Sequence, residues 1–337
     1  MVHGMINLTD SRVDFALNAV QTAALLVQEI QDEMVTPALT KADRSPVTVA
    51  DFAAQAVVGY LLAQRFPEAS LVGEEEVGML RSPENQDTLE TITHYVSRVV
   101  PGASGENVRS WIDRGSGKVQ DRYWTLDPID GTKGFLRGDQ YAIALAFVQE
   151  GRVLVGVLGC PNLTLDVGEQ RAQEGSLLVA AQGEGSWVTD ASTTGGEQRF
   201  TPLRVSGETD ARRARLLRSF ESGHTNIEQI GRFGDVLAIK ADPVQMDSQA
   251  KYALLAAGKG EIYLRLLSED RRDYREKVWD QAAGSLLVEE AGGKVTDLDG
   301  RRLDFSRGKR LLANRGLCAT NGFLHPEALK ALREIGA

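Results

Sequence analysis

The stretch Trp124-Thr125-Leu126-Asp127-Pro128-Ile129-Asp130-Gly131-Thr132 concentrates residue types that handle anions. An apolar run ends abruptly on one carboxylate, turns at a proline and offers a second carboxylate three residues on. Two such groups held close repel each other when ionised, and a cation between them relieves the repulsion. Pro128 fixes one backbone angle, Gly131 permits a close approach, and Thr132 could open a helix whose N–H groups suit a phosphate. An ordinary Asp-Pro turn with a helix cap explains the dipeptide alone, but not the nine residues together.

Other acids stand in similar settings. Glu74 follows the apolar pair Leu71-Val72, Asp51 follows Ser45-Pro46-Val47-Thr48, and Asp280 follows Val278-Trp279 and opens a run of small residues, Ala282-Ala283-Gly284. Each alone reads as a solvated charge or a helix cap. They gain meaning only if the fold gathers them at one site, which spacing along the chain does not establish. No His or Cys cluster competes: Cys160 and Cys318 lack ligand spacing and read as small buried residues of a reducing compartment. His3, His94 and His325 read as surface or satisfied core residues.

The elements that must position these acids follow from periodicity. Val13, Ala16, Leu17, Val20, Ala24, Val27 and Ile30 predict an amphipathic helix over 11–30. Further helices are expected near 49–65 and 87–98, with a short strand at Leu71-Val72 between them. From Ser110 onward the pattern turns strand-like, with strands at 123–126, 141–148 and 153–158 and a hairpin over 177–189. The polar, glycine-containing stretch 193–198 suggests a boundary between two domains, 1–198 and 199–337. Beyond it, strands at 216–220 and 261–266 alternate with helices near 226–232, 249–257, 281–291 and 326–335, an α/β pattern.

The bulk properties narrow the class. The 337 residues suffice for a substantial core, and 42% apolar with 25% charged residues is ordinary for a globular enzyme. A net charge of -9 argues against a general nucleic-acid binder, though not against a small phosphorylated ligand held by a local basic pocket or by metal ions. No stretch approaches the roughly 20 apolar residues of a membrane span, and no signal peptide is visible, so a cytoplasmic protein is expected.

Three separated motifs, Gly73-Glu74-Glu75, Asp127-Pro128-Ile129-Asp130-Gly131-Thr132 and Trp279-Asp280-Gln281-Ala282-Ala283-Gly284, in this order, resemble the lithium-sensitive phosphatase superfamily. That group includes inositol monophosphatase and fructose-1,6-bisphosphatase. The runs Lys133-Gly134-Phe135-Leu136-Arg137-Gly138, Ser45 to Asp51 and Asp247-Ser248-Gln249-Ala250-Lys251-Tyr252 look like its 3′(2′),5′-bisphosphate nucleotidase branch. Arg98 to Asp121 does not match residue by residue.

The resemblance implies a layered α/β/α/β/α sandwich, with metals between an α+β domain and an α/β domain. It implies two or three Mg²⁺ ions on Glu74, Asp127, Asp130, Asp280 and the carbonyl of Ile129. Asp51 and Thr132 would then orient or deprotonate the attacking water, with the backbone at Gly131 and Thr132 on the phosphate. His224, Asp247, Ser248, Lys251 and Arg265 would contact the nucleotide. Lys251, Arg265 and Lys133 could supply a basic side for a second phosphate, the alternative being plain surface charge. The implied reaction converts 3′-phosphoadenosine 5′-phosphate to AMP and phosphate by direct attack of water, with sensitivity to Li⁺. Alternatives are an inositol phosphate or sugar bisphosphate phosphatase, and a nucleotide-binding sensor with weak catalysis.

Overall fold

The periodicity over 11–30 closes into helix α1, Ser11–Ile30, capped by the Asp10 carboxylate, which accepts from the Arg12 N–H. The computed structural model describes residues 6–35, 45–166, 175–192, 198–220, 227–267 and 273–337. Helix α2, Ser45–Arg65, begins ahead of the expected start near Val49, so Asp51 lies in its second turn instead of at its entrance. Strand β1, Leu71–Gly73, and helix α3, Gln86–Val99, fall where expected.

Strand structure does not begin at Ser110. Gly105–Asp113 is a helix, α4, opened by a capping box in which the Ser104 side chain accepts from the Asn107 N–H and the Asn107 side chain accepts from the Ser104 N–H. Val108 and Ile112 bury its one apolar face, a pair at i, i+4 that is easily lost among polar neighbours.

The chain then builds β2, Arg122–Asp130; helix α5, Thr132–Arg137; β3, Ala142–Gln149; β4, Arg152–Cys160; β5, Ser176–Ala181; β6, Gly185–Asp190; and β7, Thr201–Pro202. With β1 these form a seven-stranded sheet in sequential order, parallel only between β1 and β2. The sheet therefore runs a little past Gln198. A second sheet, ordered β11-β12-β10-β8-β9, uses β8, Leu216–Arg218; β9, Val244–Gln245; β10, Ile262–Arg265; β11, Lys294–Thr296; and β12, Leu317–Thr320. The helices around it are α6, Ile227–Val236; α7, Ala250–Ala256; α8, Ala282–Glu290; and α9, His325–Glu334.

Alternation along β3 shows how the layers stack. Ile143, Leu145 and Phe147 join α1 and α2 in one apolar core. Ala142, Ala144, Ala146 and Val148 face the other way, into a core shared with Tyr252 of α7 and Ala283 and Leu287 of α8. The small residues let α8 come close. At Gly284 a Cβ would stand 2.1 Å from the Tyr252 ring, so no larger residue fits there. Beyond the second sheet, Leu264 and Cys318 pack with Phe233 of α6 and Ala328 and Leu332 of α9. The order is helix, sheet, helix, sheet, helix, the layered sandwich that the motifs imply. Cys160 and Cys318 are buried free thiols. Among the described residues no helix is long and apolar enough to cross a membrane.

His325 is a satisfied core residue. Its Nε2 lies 3.0 Å from Thr296 Oγ1 and its Nδ1 3.0 Å from Thr320 Oγ1. Burial, helped by the nearby Lys294 charge, pushes the imidazole down to about 4 from its ordinary 6.5. Between those values the unfolded chain binds a proton that the native imidazole refuses, so stability falls as pH drops from 6.5 towards 4. His325→Gln is expected to flatten that limb of a thermal-unfolding pH profile.

Candidate functional site

The two aspartates of the central motif are aimed by a break in a strand. Strand β2 pairs with β3 as far as Asp127 opposite Ala144 and resumes with Asp130 opposite Ala142, with a register shift between. Pro128 has no N–H to give the ladder, which forces the bulge there and leaves Pro128 and Ile129 outside the recorded register. Gly131 then turns with φ +93°, open to glycine and costly for other residues, and α5 begins at Thr132. A Cβ on Gly131 would also approach the Ser248 Cβ to 2.8 Å. The glycine is needed for both conformation and space.

Strand β1 lies parallel to β2 with Gly73 opposite Leu126, so Glu74 leaves the sheet edge abreast of Asp127. Asp280 arrives from the second half of the chain, just ahead of α8. Glu74, Asp127, Ile129, Asp130, Gly131, Thr132 and Asp280 line one cavity of about 450 Å³, together with Lys133, Asp247, Ser248, Lys251 and Arg265. The sequence motifs, up to 206 positions apart between Glu74 and Asp280, thus converge (280 − 74). Asp51 is buried and does not line the cavity, but lies within electrostatic reach of Glu75 and Glu74. His224 lies outside the described residues.

Crowding dominates the electrostatics. Burial, then the charges of Glu74, Asp130 and Asp280, hold the Asp127 carboxyl well above its ordinary range. Asp280 is raised by burial and then by Asp130 and Glu276. Glu74 is raised by desolvation, partly offset by its hydrogen bond with Asp127. Asp130 is raised by burial against the pull of Lys251 and Arg265. Asp51 is raised by burial and by Glu75 and Glu74, and Glu75 is pushed up to about 7 by burial and by Glu74 and Glu76.

The buried opposite charges, Lys251 and Arg265, come from the second half of the chain, whereas Lys133 comes from the first. Lys251 is 3% exposed; its Nζ donates to Ser219 Oγ at 3.1 Å and to the Met246 carbonyl at 3.3 Å, and stands 5.3 Å over the Tyr263 ring. Burial pushes its ammonium down to about 8, with Arg265 adding to the shift and Asp130 and Asp247 opposing it. Arg265 is held by Glu276 at 3.0 Å, and Glu276 also accepts from Gln281, whose own carbonyl accepts from the Tyr252 hydroxyl. Asp247 pairs with Arg137 at 2.5 Å.

Sequence reasoning passed over Gln249, Gln281, Ser219, Tyr263 and Tyr274, all of which line the cavity. Gln249 donates its backbone N–H to Asp130 Oδ2 at 2.6 Å and its side-chain amide to the Trp279 carbonyl at 3.1 Å. Nothing in its residue type signals this. Its place in the run Asp247-Ser248-Gln249-Ala250-Lys251-Tyr252 was the available hint.

Among the described residues no three His, Cys, Asp or Glu side chains are already drawn into a metal-ligand group. The donor set nevertheless fits a hard cation. Asp127 Oδ1 is buried with no hydrogen-bond partner, and the carboxylates facing the cavity repel one another. The described lining offers oxygen donors and no imidazole or thiolate, as Mg²⁺ prefers.

Residues 9–337 match the inositol monophosphatase family. The chain belongs to that family. Its members are metal-dependent phosphatases acting on small molecules. A rice protein named 3′(2′),5′-bisphosphate nucleotidase is 41% identical over 338 residues, covering 95% of this chain and 92% of the rice protein. A Schizosaccharomyces pombe protein of the same name is 38% identical over 349 residues, covering 97% and 96%. Among solved structures, an inositol monophosphatase of Thermotoga maritima aligns with TM-score 0.61 at 20% identity, covering 96% of this chain and 98% of its own. CysQ from Bacteroides thetaiotaomicron aligns with TM-score 0.61 at 18% identity, covering 94% and 99%. These two structures speak to the fold alone.

Two outcomes follow from the charges. A carboxyl whose pKa is raised on folding removes stability as it ionises. In metal-free protein at neutral pH, Asp127→Asn is therefore expected to raise stability by about 1 kcal/mol, read as a higher Tm, while abolishing turnover. The Lys251 ammonium exists below about pH 8 and is lost above it. A drop in kcat/KM for an anionic substrate is expected as pH rises through 8, and Lys251→Arg, which stays charged, should remove that drop.

Proposed function

We propose that this chain is a Mg²⁺-dependent 3′(2′),5′-bisphosphate nucleotidase that hydrolyses 3′-phosphoadenosine 5′-phosphate to AMP and phosphate. The observation that carries the reading is one cavity in which four carboxylates, Glu74, Asp127, Asp130 and Asp280, face the same space as Lys251 and Arg265. Such a cavity suits a substrate with two phosphates, one to be cleaved and one to be held. The names of the rice and Schizosaccharomyces pombe relatives, at full-length coverage, support the same substrate.

The carboxylates and the Ile129 carbonyl would hold two or three Mg²⁺ ions. When bound, the metal supplies neutralising charge for the ester dianion and acidifies water. The chain's own residues do the rest. The Thr132 hydroxyl orients the attacking water, and Asp51, as a carboxylate, takes the proton relayed through that hydroxyl; burial and the charges of Glu75 and Glu74 raise its affinity for that proton. The backbone at Gly131 and Thr132 meets the phosphate, and water oxygen bonds to phosphorus as the bond to the 3′-oxygen breaks and that oxygen gains a proton. Lys251 and Arg265, with Lys133, Ser248 and His224, bind the second phosphate and the nucleoside. On this reading residues 1–198 bring most metal ligands, and 199–337 bring Asp280 and the nucleotide contacts.

The test is a panel of 3′-phosphoadenosine 5′-phosphate, inositol 1-phosphate, inositol 1,4-bisphosphate and fructose 1,6-bisphosphate, assayed for kcat/KM with Mg²⁺. The adenosine bisphosphate is expected to lead by at least tenfold, and Asp130→Asn to lower its kcat by orders of magnitude. A leading inositol or sugar ester would reject the nucleotide, and near-normal kcat in Asp130→Asn would reject the metal assignment.

A further inference from the structure

Arg137 ends α5, the short helix that follows Asp130, yet its guanidinium reaches out of that helix. Its Nε donates to Asp139 Oδ2 at 2.8 Å and its Nη2 to Asp247 Oδ2 at 2.5 Å. The other Asp247 oxygen accepts the Phe220 N–H at 3.2 Å. Asp247 is 6% exposed, and each of its oxygens accepts from a protein donor. Each oxygen of this carboxylate is thus already engaged in holding a neighbouring segment.

The two residues after Asp247 return to the motif that Arg137 came from. Ser248 takes φ +61°, a region that non-glycine residues keep only when their surroundings hold them there. Its Cβ lies against Gly131, and its Oγ accepts the Ala250 N–H, setting the start of α7, which carries Lys251. Gln249 then gives its N–H to Asp130 Oδ2 at 2.6 Å. The segments 130–137 and 247–249 are thus tied at both ends, by Arg137 with Asp247 and by Gln249 with Asp130.

We propose that Arg137 is a positioning residue that acts through Asp247. Their ion pair holds the strained Asp247–Gln249 turn against the Asp130–Gly131 loop and so fixes Ser248, Lys251 and the Gln249 N–H at the site. Asp247 is then part of this clamp and makes no nucleotide contact of its own. A lysine at position 137 could pair with Asp247 as a point charge, but could not span Asp139 and Asp247 with a rigid fork. The substrate side of this inference rests on the nucleotidase reading; the clamp itself does not.

The experiment is a double-mutant cycle on Arg137→Gln and Asp247→Asn in the full chain, with Arg137→Lys as the conservative variant. The first readout is amide hydrogen exchange of the Gln249 N–H in metal-free protein, at a temperature where every variant is folded by circular dichroism. Exchange at least tenfold faster in each single variant, no faster again in the double, and intermediate in Arg137→Lys is expected. Unchanged exchange in Arg137→Gln overturns the proposal whatever the substrate is. The second readout is kinetics on 3′-phosphoadenosine 5′-phosphate, or on whichever ester of the panel the wild type prefers. A rise in KM of at least tenfold, with kcat changed less, equal in both singles and in the double, is expected. If Asp247→Asn raises KM while Arg137→Gln does not, Asp247 contacts the ligand directly and the clamp is refuted. Wild-type preference for another ester would sink the nucleotidase reading and leave the exchange result standing on its own.

Discussion

Mutual repulsion among carboxylates is the constraint around which this molecule is arranged. Folding brings Glu74, Asp127, Asp130 and Asp280 to one cavity and withdraws three of them partly or wholly from water, which costs free energy that a packed apolar core must offset. The cluster persists because each acid is rooted in a rigid element: the end of an edge strand for Glu74, the broken strand next to it for Asp127 and Asp130, a helix entrance for Asp280. The partial compensation visible in the protein is consistent with this. Glu74 and Asp127 share a hydrogen bond, and Asp130 draws on the Gln249 N–H and on the charges of Lys251 and Arg265. What remains uncompensated, above all Asp127 Oδ1, is where a cation would act.

The layers supply that rigidity through size alternation. Bulky side chains on one face of β3 anchor α1 and α2, while alanines on the other face admit α8 closely enough to bring Asp280 to the end of β2. Had the inner face carried leucines, the helix would stand farther off, and the fourth carboxylate with it. Function is thus tied to a packing decision made at positions such as Ala144 and Ala146, where no chemistry occurs.

Much of this was legible in the chain. The acids of the three motifs were visible because Asp-Pro and glycine interrupt apolar runs, and the small residues after Asp280 announced a close contact that Gly284 and Tyr252 make. Helix α4 was hidden because its cap uses Asn107, and only Val108 and Ile112 carry its apolar signal. The early start of α2 put Asp51 in its second turn, though Pro46 after Ser45 is a helix-start signal, and that Asp51 does not line the cavity is set by packing that local pattern does not carry. Gln249 and Arg137 were not singled out because their importance lies in what they reach across the fold, and side-chain type carries no record of a partner 119 or 110 positions away.

The split origin of the cavity has a consequence for synthesis. Glu74, Asp127 and Asp130 emerge with the first sheet, whereas Lys251, Arg265 and Asp280 follow only after more than two-thirds of the 337 residues have been made. A nascent chain that has completed β1 to β7 would hold three acids and Lys133, with neither the fourth acid nor Lys251 and Arg265. The lining of the cavity is then incomplete, so competence arrives late, when the second half of the chain has folded.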